Sequence, residues 1–315
     1  MQFSLGQLKR PLAGVSLLLF NCVSAYSGLL AYDSFSHTND HSYFKDGGFG
    51  WSDAWGGLAV TNGLTYAKNN HPLGTQGAGA MLLMLSERYL NTSLSGPFAS
   101  LVDTNGLIGK EGTDIWISFL ARPTELNQFI AGVWFGVGLD SGFALLLTNG
   151  MSELAPGVPL TLFTNYFVVE HVRFGTSNND LREEYFNPVP GTPDPGGAQG
   201  TNVFSGNMRF NSVSLIGNSS DRSMAGIVDE LRFGQAYTDV SPLPPVFLTD
   251  VHYATGQMTF SFQSLTGLLY TLETRLGVDT GSWTDVTSFS GDGNVWQLTL
   301  PTTNSETRFF RVRRE

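Results

Sequence analysis

The chain has 315 residues, 41% hydrophobic, 12% aromatic and only 14% charged, and carries a net charge of −10. That acidity, with no cluster of Lys or Arg, excludes nucleic acid and anionic membrane surfaces as partners, because both are held through basic patches. Few charges, 37 glycines and 23 phenylalanines favour strands joined by tight turns over surface helices.

Residues 1–25 read as an export signal. Lys9 and Arg10 precede the apolar run Leu12 to Val23, and Val23-Ser24-Ala25 supplies small residues at the cleavage positions. The run is too short for an ordinary transmembrane helix. The only cysteine, Cys22, leaves with the signal, so the mature protein is expected to have no disulfide and no thiolate metal site. The expected address is secreted or cell-surface, of bacterial type.

After residue 30 alternation dominates. Ile115, Ile117 and Phe119 share one face of a strand, as do Val133, Phe135, Val137 and Leu139 of another. Further strands are predicted at Phe143 to Leu147, Leu160 to Thr164, Phe167 to Phe174, Arg209 to Ile216 and Ile227 to Phe233. Turn signals such as Thr148-Asn149-Gly150 and Gly217-Asn218-Ser219 separate them. Gly79 to Asn91 is the one helical candidate, with a buried strand as its alternative. The proline-rich stretch from Asn187 to Gly197 is a long loop, since prolines remove ladder donors. Thr238 to Pro245 reads as a linker. Beyond it Met258 to Phe262, Tyr270 to Glu273, Trp296 to Leu300 and Phe309 to Val312 form a second strand series around the turn Gly291 to Asn294. The predicted organisation is a sandwich over 28–240 and a small β module over 246–315.

An ordered set of segments carries a resemblance. Leu30 to Phe35, Gly47 to Trp55, Asp114-Ile115-Trp116-Ile117-Ser118-Phe119-Leu120, Val169 to Phe174, Asn187-Pro188 and Gly226-Ile227-Val228-Asp229-Glu230-Leu231-Arg232-Phe233-Gly234 occur in the order found in concanavalin A-like and laminin-G-like jelly rolls of exported bacterial proteins. The tail, with Trp283-Thr284-Asp285-Val286 and Arg308 to Val312, resembles a fibronectin-like β module. The resemblance implies an all-β jelly roll whose first strand pairs with its last, bringing Tyr32-Asp33 near Val228 to Glu230. Calcium is common in laminin-G-like folds; Asp33 and Ser177 to Asp180 are donor types, but no loop has a recognisable calcium spacing, so no ligands and no other cofactor are assigned.

Catalytic motifs are sparse. The Glu-x-Asp-x-(x)-Glu pattern of laminarinase-like hydrolases is absent. Strand alternation sends Asp229 to the core face with Ile227, Leu231 and Phe233, and Glu230 outward to a surface pair with Arg232. A buried Asp229 calls for backbone donors. His171 and Arg173 share a face and, with Tyr166, echo the His, Arg and Tyr of alginate-lyase-like jelly rolls, though the Gln-apolar-His and Tyr-Lys-Ala-Gly motifs of that family are missing. His37 to His41 holds ligand types in an irregular loop. Trp51 and Trp55, with Phe49, offer either a sugar-stacking platform or a plug for the core. Trp134, beside Gly136 and Gly138, is the candidate for a concave groove.

Candidate ligand-binding residues are therefore Trp134, Trp51, Trp55, His171 and Arg173, with no catalytic or metal residues. The expected protein is non-catalytic and lectin-like, binding a polysaccharide or an extracellular protein. A polysaccharide-active hydrolase or lyase, and a structural surface protein, are the alternatives.

Overall fold

The computed structural model describes residues 28–35, 44–45, 47–56, 59–76, 78–81, 86–124, 131–136, 142–148, 151–152, 160–176, 179–204, 207–216, 226–254, 256–276, 281–301 and 309–314. The signal segment and His37 to His41 lie outside these residues. Two compact units result, one spanning Tyr26–Pro244 and one containing Pro245–Glu315. Among the described residues no helix is long and apolar enough to cross a membrane.

The first unit contains β1 (Leu29–Asp33), β2 (Phe44–Lys45), β3 (Trp55–Gly56), β4 (Ala59–Asn62), β5 (Ala67–Lys68), β6 (His71–Pro72), β7 (Ala78–Met81) and β8 (Ser86–Tyr89). It continues through β9 (Thr113–Pro123), β10 (Ala131–Gly136), β11 (Gly142–Thr148), β12 (Met151–Ser152) and β13 (Tyr166–Phe174). The series ends with β14 (Asp180–Phe186), β15 (Gly200–Phe204), β16 (Ser212–Ile216), β17 (Gly226–Gly234) and the one-turn α1 (Tyr237–Val240). An eight-stranded sheet runs β15-β14-β13-β9-β17-β7-β4 with β1 also paired to β17, and a five-stranded sheet runs β12-β11-β10-β16-β8. The fold is an all-β, multi-sheet sandwich of jelly-roll appearance.

The alternation read from sequence builds the inter-sheet core. Ile115, Ile117 and Phe119 of β9 meet Val168 and Val172 of β13 and Leu231 and Phe233 of β17, facing Val133 and Phe135 of β10 and Val213 and Leu215 of β16. Fully burying such a side chain is worth about 1.5–3 kcal/mol. β1 pairs antiparallel with β17, Tyr32 opposite Arg232 and Asp33 opposite Leu231. The same inward face also carries buried charge: Arg182 grips Glu170 through Nε at 2.5 Å and Nη2 at 3.1 Å. Burial raises the Glu170 pKa while Arg182 opposes that rise, so the pair must stay together to be tolerated.

A second apolar layer covers part of the outer face of the eight-stranded sheet. Leu120, Phe167, Val169, Tyr185 and Ile227 on the sheet pack beneath Leu64, Leu73, Tyr237 and Val240. The covering segments are tied to one another. Tyr66 Oη donates to the Pro188 carbonyl at 3.2 Å, Lys68 Nζ donates to the Asn187 carbonyl, and Tyr237 Oη donates to the Val189 carbonyl at 2.7 Å.

Several expectations change. Gly79 to Asn91 is not a helix: β7 and β8 occupy its ends. Leu160 to Thr164 forms no strand, and Phe163 sits at φ 59°. The linker expected at Thr238 to Pro245 begins as α1. The largest change concerns β17. A bulge between Asp229 and Arg232, with Glu230 at φ 57°, resets the alternation. Val228, Leu231 and Phe233 face the inter-sheet core, while Ile227 joins the outer layer. Asp229 is buried and bound to backbone donors, the Leu64 N–H at 2.7 Å and the Glu230 N–H at 2.7 Å, but on the face opposite to the one alternation predicts. Glu230 and Arg232 do pair, yet both are buried rather than on the surface. Tyr32 Oη donates to Glu230 at 2.8 Å, and Arg232 Nη2 donates to the Gly74 carbonyl at 2.5 Å.

The second unit holds β18 (Thr249–Ala254), β19 (Gln257–Gln263), β20 (Leu269–Arg275), β21 (Thr284–Ser290), β22 (Val295–Pro301) and β23 (Phe309–Arg314). They form the sheets β18-β19-β22 and β21-β20-β23 around Phe260, Phe262, Tyr270 and Leu272.

Candidate functional site

The outer face of the eight-stranded sheet stays partly uncovered where β9, β13 and β14 lie side by side. Register puts His171 opposite Trp116 on one side and Glu183 on the other; Arg173 lies between Asp114 and Leu181. Because successive side chains alternate, Asp114, Trp116, His171, Arg173, Leu181, Glu183 and Tyr185 share the face turned away from the core. Asp114 and Arg173 are about half exposed (side chains 49% and 51%), whereas the His171 side chain is 8% exposed.

The polar groups converge on the imidazole. His171 Nε2 lies 2.7 Å from Asp114 Oδ2, and Nδ1 lies 3.3 Å from Glu183 Oε2 and 3.4 Å from Arg173 Nε. Arg173 Nη2 donates to the same Glu183 oxygen at 2.7 Å. The Trp116 ring stacks on the imidazole, centroids 3.9 Å apart and planes 8° from parallel. Tyr185 and Tyr237 pack against Trp116, ring centroids 5.8 and 5.7 Å away. Burial, then the neighbouring Glu183, raises the Tyr185 pKa, so its phenol keeps its proton; burial pushes Tyr237 up to about 12.

This arrangement can move a proton. With the imidazole proton on Nε2 and donated to Asp114, the Nδ1 lone pair accepts a long hydrogen bond from Arg173 Nε at 3.4 Å and is the ring's remaining basic site. The imidazolium so formed donates from Nδ1 to Glu183. Asp114 fixes the tautomer, Glu183 stabilises the charged product, and Arg173 presents a half-exposed guanidinium beside both.

The structure thus joins two of the sequence candidates, His171 and Arg173, and adds Asp114, Trp116, Glu183 and Tyr185. Tyr166 does not join them: it belongs to the inter-sheet core, where its hydroxyl accepts from the Thr161 N–H at 2.6 Å. Nor is the platform of Trp51 and Trp55 assembled. Trp55 is fully buried, donating from Nε1 to Asp33 Oδ2 at 2.8 Å. Trp51 is half-buried, donates to the Tyr32 carbonyl at 3.2 Å, and packs against Trp55 and Phe233. These rings fill one end of the core. Trp134 falls on β10 opposite Ala144 and Ser214; its side chain lies outside the described residues. Among the described residues no three His, Cys, Asp or Glu gather as metal ligands. The carboxylates of calcium-donor type are engaged with arginines and backbone donors. Asp33 takes Arg88 Nη1 at 2.6 Å, and Asp180 takes Arg209 Nη1 at 3.1 Å and the Gly175 N–H at 2.9 Å. Ser177 and Asn178 lie outside the described residues.

No family model and no curated protein matches the chain. Among solved structures it is similar to an endo-β-1,4-glucuronan lyase from the fungus Trichoderma reesei, at 11% identity and a TM-score of 0.39, over 67% of this chain and 97% of that one. It is also similar to domain 4 of AbnA, a GH43 extracellular arabinanase from Geobacillus stearothermophilus in complex with arabinotriose. There the identity is 17% and the TM-score 0.36, over 68% of this chain and 98% of that one. Both come from carbohydrate-active enzymes. That finding runs against a non-catalytic, lectin-like protein and against the expectation of no enzyme, and both are withdrawn. The likeness reaches the all-β sandwich and assigns neither substrate nor residue.

Proposed function

We propose that the chain is an exported polysaccharide-active enzyme, and that the site on β9, β13 and β14 performs β-elimination on a uronate-containing glycan. The observation that carries this reading is His171, held between two carboxylates with one ring nitrogen turned toward an exposed arginine. Arg173 pairs with the uronate carboxylate and so favours loss of the proton on the adjacent carbon. His171 Nδ1 takes that proton. The bond from the neighbouring ring carbon to the glycosidic oxygen breaks, a carbon–carbon double bond forms in the uronate ring, and the Tyr185 phenol returns a proton to the departing oxygen. The sandwich is of the concanavalin A-like or laminin-G-like kind over 28–240, and the fibronectin-like module over 246–315 serves as spacer or attachment unit.

A glycosidase instead needs a carboxyl poised to donate a proton across the scissile bond. Here Glu183 is committed to Arg173 and both carboxylates turn toward His171, which favours elimination. The test is incubation with polyuronates and with neutral glycans, followed by ultraviolet absorbance of unsaturated ends and by reducing-end release. Unsaturated products that vanish in His171→Ala and Arg173→Ala support elimination. New reducing ends without unsaturation assign a hydrolase, and neither product from any glycan overturns the enzyme reading.

A further inference from the structure

The shape of the exposed lane around His171 bears on how a glycan can enter it. One row of outward side chains crosses the strands as Thr201, Glu183, His171, Trp116 and Gly234. It begins on β15, an edge of the sheet, where Thr201 is exposed and Val203, one row over, is 64% exposed. It ends under α1. A Cβ placed on Gly234 would lie 2.6 Å from the Asp239 Cβ and 3.0 Å from Val240 Cγ1, so the helix sits directly on the β17 backbone. Val169 and Ser118, in the next row toward the proline loop, are fully buried, and Trp116 stands against Tyr185 and Tyr237. The lane over His171 is open toward β15 and walled at Trp116.

A glycan threaded past His171 by its interior would need room on both sides of the cleaved bond, and α1 occupies that room on the β17 side. We propose that the site takes the free end of a uronate chain, seated against the Trp116–Tyr237 wall, with the rest of the chain leaving across β14 and β15. This inference rests on the assignment of the site as polysaccharide-active, and it names the part of the substrate that enters.

Two measurements on the full chain test it. In the first, the active protein is given a long polyuronate, and viscosity is followed together with product size. Release of one or two sugar units from the outset, with viscosity nearly unchanged, is the expected result. An early collapse of viscosity with a ladder of long fragments would leave the enzyme standing and sink chain-end entry. In the second, binding by His171→Ala, or by His171→Asn should the alanine variant unfold, is compared for polyuronate and its short oligomers at equal mass. Shortening the chain tenfold should raise binding about tenfold, because binding follows the number of ends. Binding that ignores chain length overturns the proposal, and absence of both binding and product overturns it together with the assignment of the site.

Discussion

Trp116 and His171 lie ring on ring across neighbouring strands, 3.9 Å between centroids. The indole shields one face of the imidazole, while Glu183 and Arg173 meet its Nδ1 edge. Replacing His171 by alanine is expected to lower turnover by about 10²–10⁴-fold, the range for a lost acid–base group. Trp116→Ala should raise KM as well as lower kcat, since it removes both the backing of the imidazole and the end wall of the lane. Steady-state kinetics on the two variants separate these effects.

Asp114→Asn replaces the acceptor that holds the proton on Nε2. An amide can present its NH2 group there and favour the other tautomer, which blocks Nδ1. The expected outcome is a fall in kcat of about a hundredfold or more with KM little changed, since Asp114 acts through His171. A pH–rate profile checks it: the limb due to His171 should shift in Asp114→Asn, whereas a merely structural loss would scale the whole profile.

Asp229 gives stability a pH dependence of defined sign. Burial, then the neighbouring Glu230, raises its pKa from 3.8 to about 8, and Glu230 is raised as well, chiefly by burial. A carboxyl whose folded pKa lies above its unfolded one contributes fully below the unfolded value and loses that contribution as pH rises through the folded value. Urea unfolding should therefore show stability declining between about pH 4 and 8 on account of this site. In Asp229→Asn the decline should be shallower; an identical slope in the variant would mean that other groups set it.

Arg88 and Asp33 form a buried pair at 2.6 Å, and the Asp33 carboxylate also takes Trp55 Nε1 and the Phe35 N–H. Arg88→Ala removes the guanidinium that this buried carboxylate grips at 2.6 Å, and should cost about 3–5 kcal/mol in unfolding free energy. Replacing both partners by apolar residues should cost less than the single change. Denaturant melts of the single and double variants decide it.

Gly234→Ala places a methyl group against Asp239 and Val240 of α1. A loss of about 1–3 kcal/mol is expected, as for overpacking elsewhere in protein cores. Thermal melting and the ratio of long to short products from polyuronate should change together if α1 forms the end wall.

Much of the fold was legible because strand alternation is local. The inward sets of β9 and β13 follow from counting every second residue, and the antiparallel pairing of β1 with β17 agrees with the resemblance in its opening and closing segments. Asp229 shows the limit of counting. One residue at positive φ inserts an extra position, every assignment on its N-terminal side changes face, and nothing in Asp-Glu-Leu-Arg announces it. At the site, alternation placed His171 and Arg173 on one face, and the same logic puts Asp114 and Trp116 opposite Ile115. What sequence lacked was register. Only the offset between strands brings Asp114, Trp116 and Glu183 beside His171, and that offset is set by distant turns and core packing.

The cover over the outer sheet face has a consequence for the way the molecule comes apart. The segment from Leu64 to Gln76 is buckled to the β17 bulge at both ends, by Asp229 and by Glu230 with Arg232, and laced along its length to the proline loop through Tyr66, Lys68 and His71. Neither segment can lift from the sheet without freeing the other, so the two open as one cooperative unit, below the cost of global unfolding. The surface bared by that opening, Leu120, Phe167, Val169 and Ile227, is a continuous apolar stripe across three strands. In amide exchange, Leu64 and Gln76 should therefore share one opening free energy, and that same opening is where self-association would begin.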